Sequence, residues 1–152
     1  MPDHLVDLAS AVEHVLPHTG PSLIVREVIE CSEESCLCRI KFPEGNGLIV
    51  DGEVATHLLV EPAAQAAAIH LAILATGDGA ELGSYEGFLT SAKDVQVTRA
   101  TIPAATDLRL RVKPRGKFRK PKGGMFKCRF EAEFEGEVIA TGELGSYVQA
   151  AT

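Results

Sequence analysis

The chain has 152 residues, about one domain's worth, and 45% of them are apolar, enough for a core that needs neither disulfides nor metal to hold it. Fifteen Lys and Arg against 21 Asp and Glu leave a net charge of −6, which argues against nucleic acid or an anionic membrane as the main partner. Aromatic residues are only 5%, with no tryptophan, so a stacking platform for bases or sugars is disfavoured and aliphatic ligands are favoured over flat rings.

Residues 1–20 carry Asp3, Asp7 and Glu13 and have neither a basic start nor an unbroken apolar stretch, so no export signal is expected and the location implied is cytoplasmic. Cys31, Cys36, Cys38 and Cys128 are then reduced thiols. Leu5, Leu8, Val12, Val15 and Leu16 form one apolar stripe of a short helix that Pro17 ends, expected to pack as a lid rather than as core. Residues 22–31 read as a strand, and the polar turn of Ser32, Glu33, Glu34 and Ser35 leads into a second. There Cys36, Cys38, Ile40 and Phe42 share a face, which makes the two cysteines small inward hydrophobes rather than a thiolate site.

Residues 54–75 are apolar on nearly every side and predict one buried helix. His57, Glu61, Pro62, Gln65 and His70 interrupt the segment and would be costly in lipid, so a membrane span is not expected. Strands follow at 88–97, at 108–113 with Leu108, Leu110 and Val112 inward, at 126–134, and at 138–148 beyond the turn at Gly136. The pattern predicts an α+β domain over residues 1–152, an antiparallel sheet of about five or six strands wrapped around one long central helix. Such a sheet leaves an exposed edge, so two protomers are expected to pair edge to edge.

Glu61 stands out because a carboxylate in so apolar a helix is expected to be desolvated, which raises its pKa and suits a general acid. Alternatively it pairs with His57 one turn earlier or faces solvent at the helix start. Gln65, four residues on, shares that face and either bonds a ligand carbonyl or satisfies a buried polar group. His70 reads as a core histidine, and His14 and His18, with Pro17 between them, lack further ligands at metal spacing, so no metal is expected. The glycines at 77, 79, 83 and 87 precede no Gly-Lys-Ser/Thr, so no phosphate loop is expected either.

Residues 109–122 hold eight of the 15 basic residues and no acid. Arg109 and Arg111 fit a strand facing a neighbour's acids. Arg115, Lys117, Arg119, Lys120 and Lys122 crowd like charge into one loop and suggest either a solvated turn or a docking surface for an acidic partner.

Four short motifs, in order, resemble the hotdog 3-hydroxyacyl-[acyl carrier protein] dehydratases, above all the aryl-polyene-type branch. They are Leu16-Pro17-His18-Thr19-Gly20-Pro21, Glu61-Pro62-Ala63-Ala64-Gln65-Ala66, Gly87-Phe88-Leu89, and Ile102-Pro103 before Asp107-Leu108. The resemblance implies the hotdog fold, no cofactor, and an acyl thioester of an acyl carrier protein or coenzyme A as substrate. It also implies a homodimer, or a heterodimer with an active paralogue.

In that family a loop histidine removes the α-proton of the thioester and the helix carboxylate protonates the leaving hydroxyl. Backbone N–H groups near the helix start polarise the thioester carbonyl. Carried onto this chain, Glu61 takes the carboxylate position, while Asn46 falls where the family has its histidine and cannot act as a base. His57 is the candidate substitute, and Gln65, Gly52, Phe88 and Leu89 are the expected substrate contacts. Pro62 is expected to bend the helix beside Glu61. The alternatives to a dehydratase are a hotdog thioesterase, in which Glu61 activates water, and a non-catalytic acyl-thioester-binding subunit.

Overall fold

The computed structural model describes Val12, Leu16 and residues 20–77, 85–116 and 124–150. A 3₁₀ turn, Gly20–Ser22, leads into β1 (Val25–Cys31) and β2 (Cys36–Ile40). A short strand β3 (Glu53–Ala55) and a second 3₁₀ turn (Thr56–Leu59) then deliver the chain to the helix α1 (Val60–Gly77). Five strands complete the order: β4 (Tyr85–Val97), β5 (Thr101–Pro103), β6 (Leu108–Pro114), β7 (Gly124–Phe134) and β8 (Glu137–Ala150).

Six strands form one antiparallel sheet in the order β1-β2-β6-β7-β8-β4, and β3 pairs with β5 in a separate two-stranded ladder. The long helix packs on this sheet, with Leu59, Ala63, Ala66, Ile69 and Ile73 meeting Cys38, Ile40, Leu110, Val112, Phe130 and Leu144 in one core. This is the expected hotdog architecture, an antiparallel sheet around one helix. Strand alternation follows from burial of one face only: in β6 Leu108, Leu110 and Val112 are buried, and in β7 Cys128, Phe130 and Ala132.

Small residues set how closely the layers approach. A Cβ on Gly142 of β8 would lie 2.6 Å from the Phe130 ring, so glycine lets that ring lie against the neighbouring strand. Asp51 and Gly52, with φ of 52° and 74°, make a two-residue turn that returns Val50 to Glu53 through paired backbone bonds of 2.9 and 3.0 Å.

Several expectations need correction. The helix begins at Val60, because residues 53–59 are first spent on β3 and the 3₁₀ turn. Pro62 therefore falls in the first turn of α1, where N–H groups have no partner within the α-helix, and removes little helical bonding. Most of the short N-terminal helix lies outside the described residues, but Val12 and Leu16 are 5% and 6% exposed and belong to the main core rather than to a lid. The span Thr56–Thr76 is long and apolar enough to cross a membrane by composition, yet 67% of it is buried against the rest of the fold.

Candidate active site at the front of the central helix

Four residues of the expected site, Gln65, Asn46, Glu61 and His57, lie around the start of α1 and the turns before it, and they are used differently. Gln65 is 1% exposed and its amide is fully engaged. Its Oε1 accepts from the backbone N–H of Ile24 at 3.0 Å and of Val25 at 3.2 Å, while Nε2 donates to the Ser22 carbonyl at 2.9 Å. The residue ties the chain entering β1 to the helix, so of the two roles expected for it the structure displays the satisfaction of buried polar groups.

Asn46 is 8% exposed and likewise committed. Nδ2 donates to the Pro21 carbonyl at 2.7 Å, and Oδ1 accepts from the Leu48 N–H at 2.9 Å. Its backbone N–H also bonds Pro43 O at 3.0 Å, so the side chain and main chain of one residue close the loop that follows β2 onto the 3₁₀ turn before β1.

Glu61 and His57 stand on the other side of the entrance. Glu61 is half-buried in the first turn of α1, between the desolvated and the solvent-facing placements that the sequence left open. An acidic group here is favoured by the positive end of the helix dipole. His57 is exposed on the preceding 3₁₀ turn, which packs against β4 and β8.

The residues expected to contact substrate are also open: Gly52 is exposed at its turn, and Phe88 and Leu89 on β4 are 51% and 43% exposed. Gly52 is held by its carbonyl, which accepts from Ala104 N–H at 2.9 Å. Thr56 was not singled out by the sequence, yet it is fully buried at the helix entrance, with its N–H on Ala100 O at 2.9 Å and its hydroxyl without a hydrogen-bond partner. A threonine among apolar neighbours carries no sequence signal of that kind.

The basic loop divides. Lys117, Arg119, Lys120 and Lys122 lie outside the described residues, whereas Arg115 donates to Glu143 Oε1 at 2.6 Å across the sheet. Arg111 turns to Glu30 at 2.9 Å and to Ser35 Oγ at 2.8 Å, although Glu131 is its partner in the β6–β7 register. Among the described residues no group of three or more His, Cys, Asp or Glu side chains is arranged to hold a metal.

Solved structures with this fold include the dehydratase heterocomplex ApeI:P from Xenorhabdus doucetiae, at 19% identity over 93% of this chain and 91% of that one, with a TM-score of 0.76. A Helicobacter felis homologue of HP0420 matches at 17% identity over 98% and 96% of the two chains, TM-score 0.64. Zebrafish thioesterase superfamily member 2 matches at 13% identity over 91% and 94%, TM-score 0.63. These likenesses establish the hotdog fold. The ApeP-like family, described as ApeP dehydratase, matches residues 10–151, and the chain belongs to that family. No curated protein sequence matches the chain at a significant level.

Proposed function

We propose that the protein is a subunit of a 3-hydroxyacyl-thioester dehydratase, with Glu61 as the acid that protonates the departing β-hydroxyl. The observation that carries this reading is the placement of Glu61, half-buried in the first turn of the central helix, directly after the 3₁₀ turn that exposes His57 and packs against the edge strand β4. Dehydration needs a second group to remove the α-proton. Asn46 holds a loop with both side-chain polar atoms and has no basic nitrogen, so a partner chain supplies the base. The dehydratase heterocomplex among the structural neighbours supports a second hotdog chain in that role, paired along β4.

Substrate would lie between the two chains, its acyl portion against Phe88 and Leu89 and its thioester carbonyl near the helix start. His57 and Gly52 flank that opening. The carrier would be an acyl carrier protein, or coenzyme A in its place, acting in fatty-acid or polyene-type synthesis in the cytoplasm. The acidic carrier would meet Arg115, Lys117, Arg119, Lys120 and Lys122.

The test is a product assay on a 3-hydroxyacyl thioester with this chain alone, a paralogous dehydratase alone, and the two mixed. Enoyl thioester formed fastest by the mixture, and lost with Glu61→Gln, supports the proposal. Full activity of the chain alone would place the base within it, with His57 as the next residue to replace. Free acid plus thiol would identify a thioesterase, and binding with neither product a non-catalytic subunit.

A further inference from the structure

At the far end of the β1–β2 hairpin, away from the helix entrance, three thiols and a buried histidine come together. Cys31 and Cys36 stand directly opposite each other in the ladder, and their side chains interact. Cys36 Sγ is in turn 3.9 Å from Cys38 Sγ. Cys31 is only half-buried, whereas Cys36 and Cys38 are buried.

His70 of α1 is fully buried beside Cys31, with Nε2 2.7 Å from the Ser32 carbonyl. A carbonyl only accepts, so Nε2 carries the hydrogen and the lone pair of the neutral ring is on Nδ1. That nitrogen is buried without a hydrogen-bond partner. The bond between the two thiols, together with burial, keeps Cys31 protonated well above the usual thiol range, while His70 works in the opposite direction. Cys36 is drawn down by its bond from Cys31 and, more distantly, by Arg111, but Cys38 and burial push it up further.

We propose that Cys31 and Cys36 form a reversible cross-strand disulfide, with His70 Nδ1 as the base that frees the Cys31 thiolate for exchange with a small-molecule disulfide. The accessible Cys31 gives its proton to Nδ1 and attacks one sulfur of the small disulfide, whose other sulfur leaves as a thiolate and takes up a proton. Cys36, losing its own proton, then attacks the Cys31 sulfur of the mixed disulfide and expels the second small thiol. The protein loses two electrons and two protons, and the small disulfide gains them as two thiols. A direct cross-strand pair suits this bond, because opposite residues in an antiparallel ladder have the Cα separation that disulfides use. The Arg111 guanidinium favours the thiolate of Cys36 from one side, and His70 Nδ1 takes the Cys31 proton on the other.

The experiment incubates the full chain with oxidised glutathione and maps the products after cleavage at Glu33 and Glu34, which separates Cys31 from Cys36 and Cys38. The expected product joins the two peptides through Cys31 and Cys36 and persists in Cys38→Ala. Cys36→Ala stops at a mixed glutathione adduct on Cys31, and Cys31→Ala, altered at a half-buried site, forms neither species. His70→Gln slows the first step by on the order of tenfold or more without changing which cysteines are joined. A bridge confined to Cys36 and Cys38 would overturn the proposal. So would a folded chain that stays reduced while the same chain in denaturant reacts, or a His70→Gln rate equal to wild type.

Discussion

The two sides of the helix entrance are built to opposite rules. Toward β1, Gln65 and Asn46 direct every side-chain hydrogen bond they make into their own chain, fixing Ser22, Ile24 and Val25 on one hand and Pro21 and Leu48 on the other. Toward β4, the molecule shows Phe88, Leu89 and Val97 at 40% exposure or more on a sheet edge 13 residues long. The opposite edge, β1, mixes Arg26, Glu27 and Glu30 among its exposed and half-exposed positions, the charged surface that discourages strand addition. One side is closed by the chain's own hydrogen bonds; the other presents an open edge, the one to which the proposed function assigns a partner.

The contrast can be broken most severely at Gln65. Gln65→Leu would leave the buried N–H groups of Ile24 and Val25, and the part-buried Ser22 carbonyl, without their partner, at about 1–3 kcal/mol for each buried group. Urea denaturation should therefore show a loss on the order of 3–6 kcal/mol, a large part of the stability of any domain this size.

Leu89→Lys on β4 should weaken self-association or pairing at least about tenfold, or about 1.4 kcal/mol. Light scattering would then move toward the 16.2 kDa of one chain. Ile29→Lys on β1 should leave the mass unchanged, and equal effects at both edges would erase the distinction.

Buried thiols provide a pH-dependent handle that is silent at neutral pH. Burial pushes Cys128 up to about 12 from 9.0, so between those values the unfolded chain releases a proton that the folded chain keeps. Stability is retained below pH 9 and falls as pH rises toward 12, by about 1.4 kcal/mol per unit for this thiol. Chemical denaturation of Cys128→Ala should show a correspondingly shallower alkaline decline.

The smallest stability change is expected at Glu61, where Glu61→Gln keeps shape at a half-exposed position and should alter unfolding by no more than about 0.5 kcal/mol. A loss of turnover without loss of fold is the outcome that assigns the open side to chemistry.

How much of this was legible in the sequence depended on whether a residue's role lies in its own pattern. The strands of the large sheet were legible because one buried face imposes a period of two, as in Leu108, Leu110 and Val112. The central helix was legible from its length and uniform apolarity, but not its start, since β3 and β5 are three residues each and too short to show a period. Strand order was not legible beyond the hairpins, because β4 pairs with β8 and not with a sequence neighbour. At the candidate site, the sequence left the exposure of Glu61 open between a desolvated carboxylate and one facing solvent at the helix start, and its half-buried place in the first turn lies between the two. The buried polar role of Gln65 was among those expected, but which groups it and Asn46 bind was invisible because their partners are backbone atoms, which carry no side-chain signature.

Strand β8 lies between β7 and β4 and supplies the whole of β4's ladder within the large sheet. Residues 98–136 separate the two strands, so a nascent chain emerging from the ribosome must carry the 13-residue β4 without its partner until β8 has been made. During that interval both sides of β4 are unpaired, the condition under which strands recruit wrong neighbours. Expression yield should therefore depend on translation speed across residues 98–136 and on the presence of holding chaperones, a dependence that the finished fold does not share.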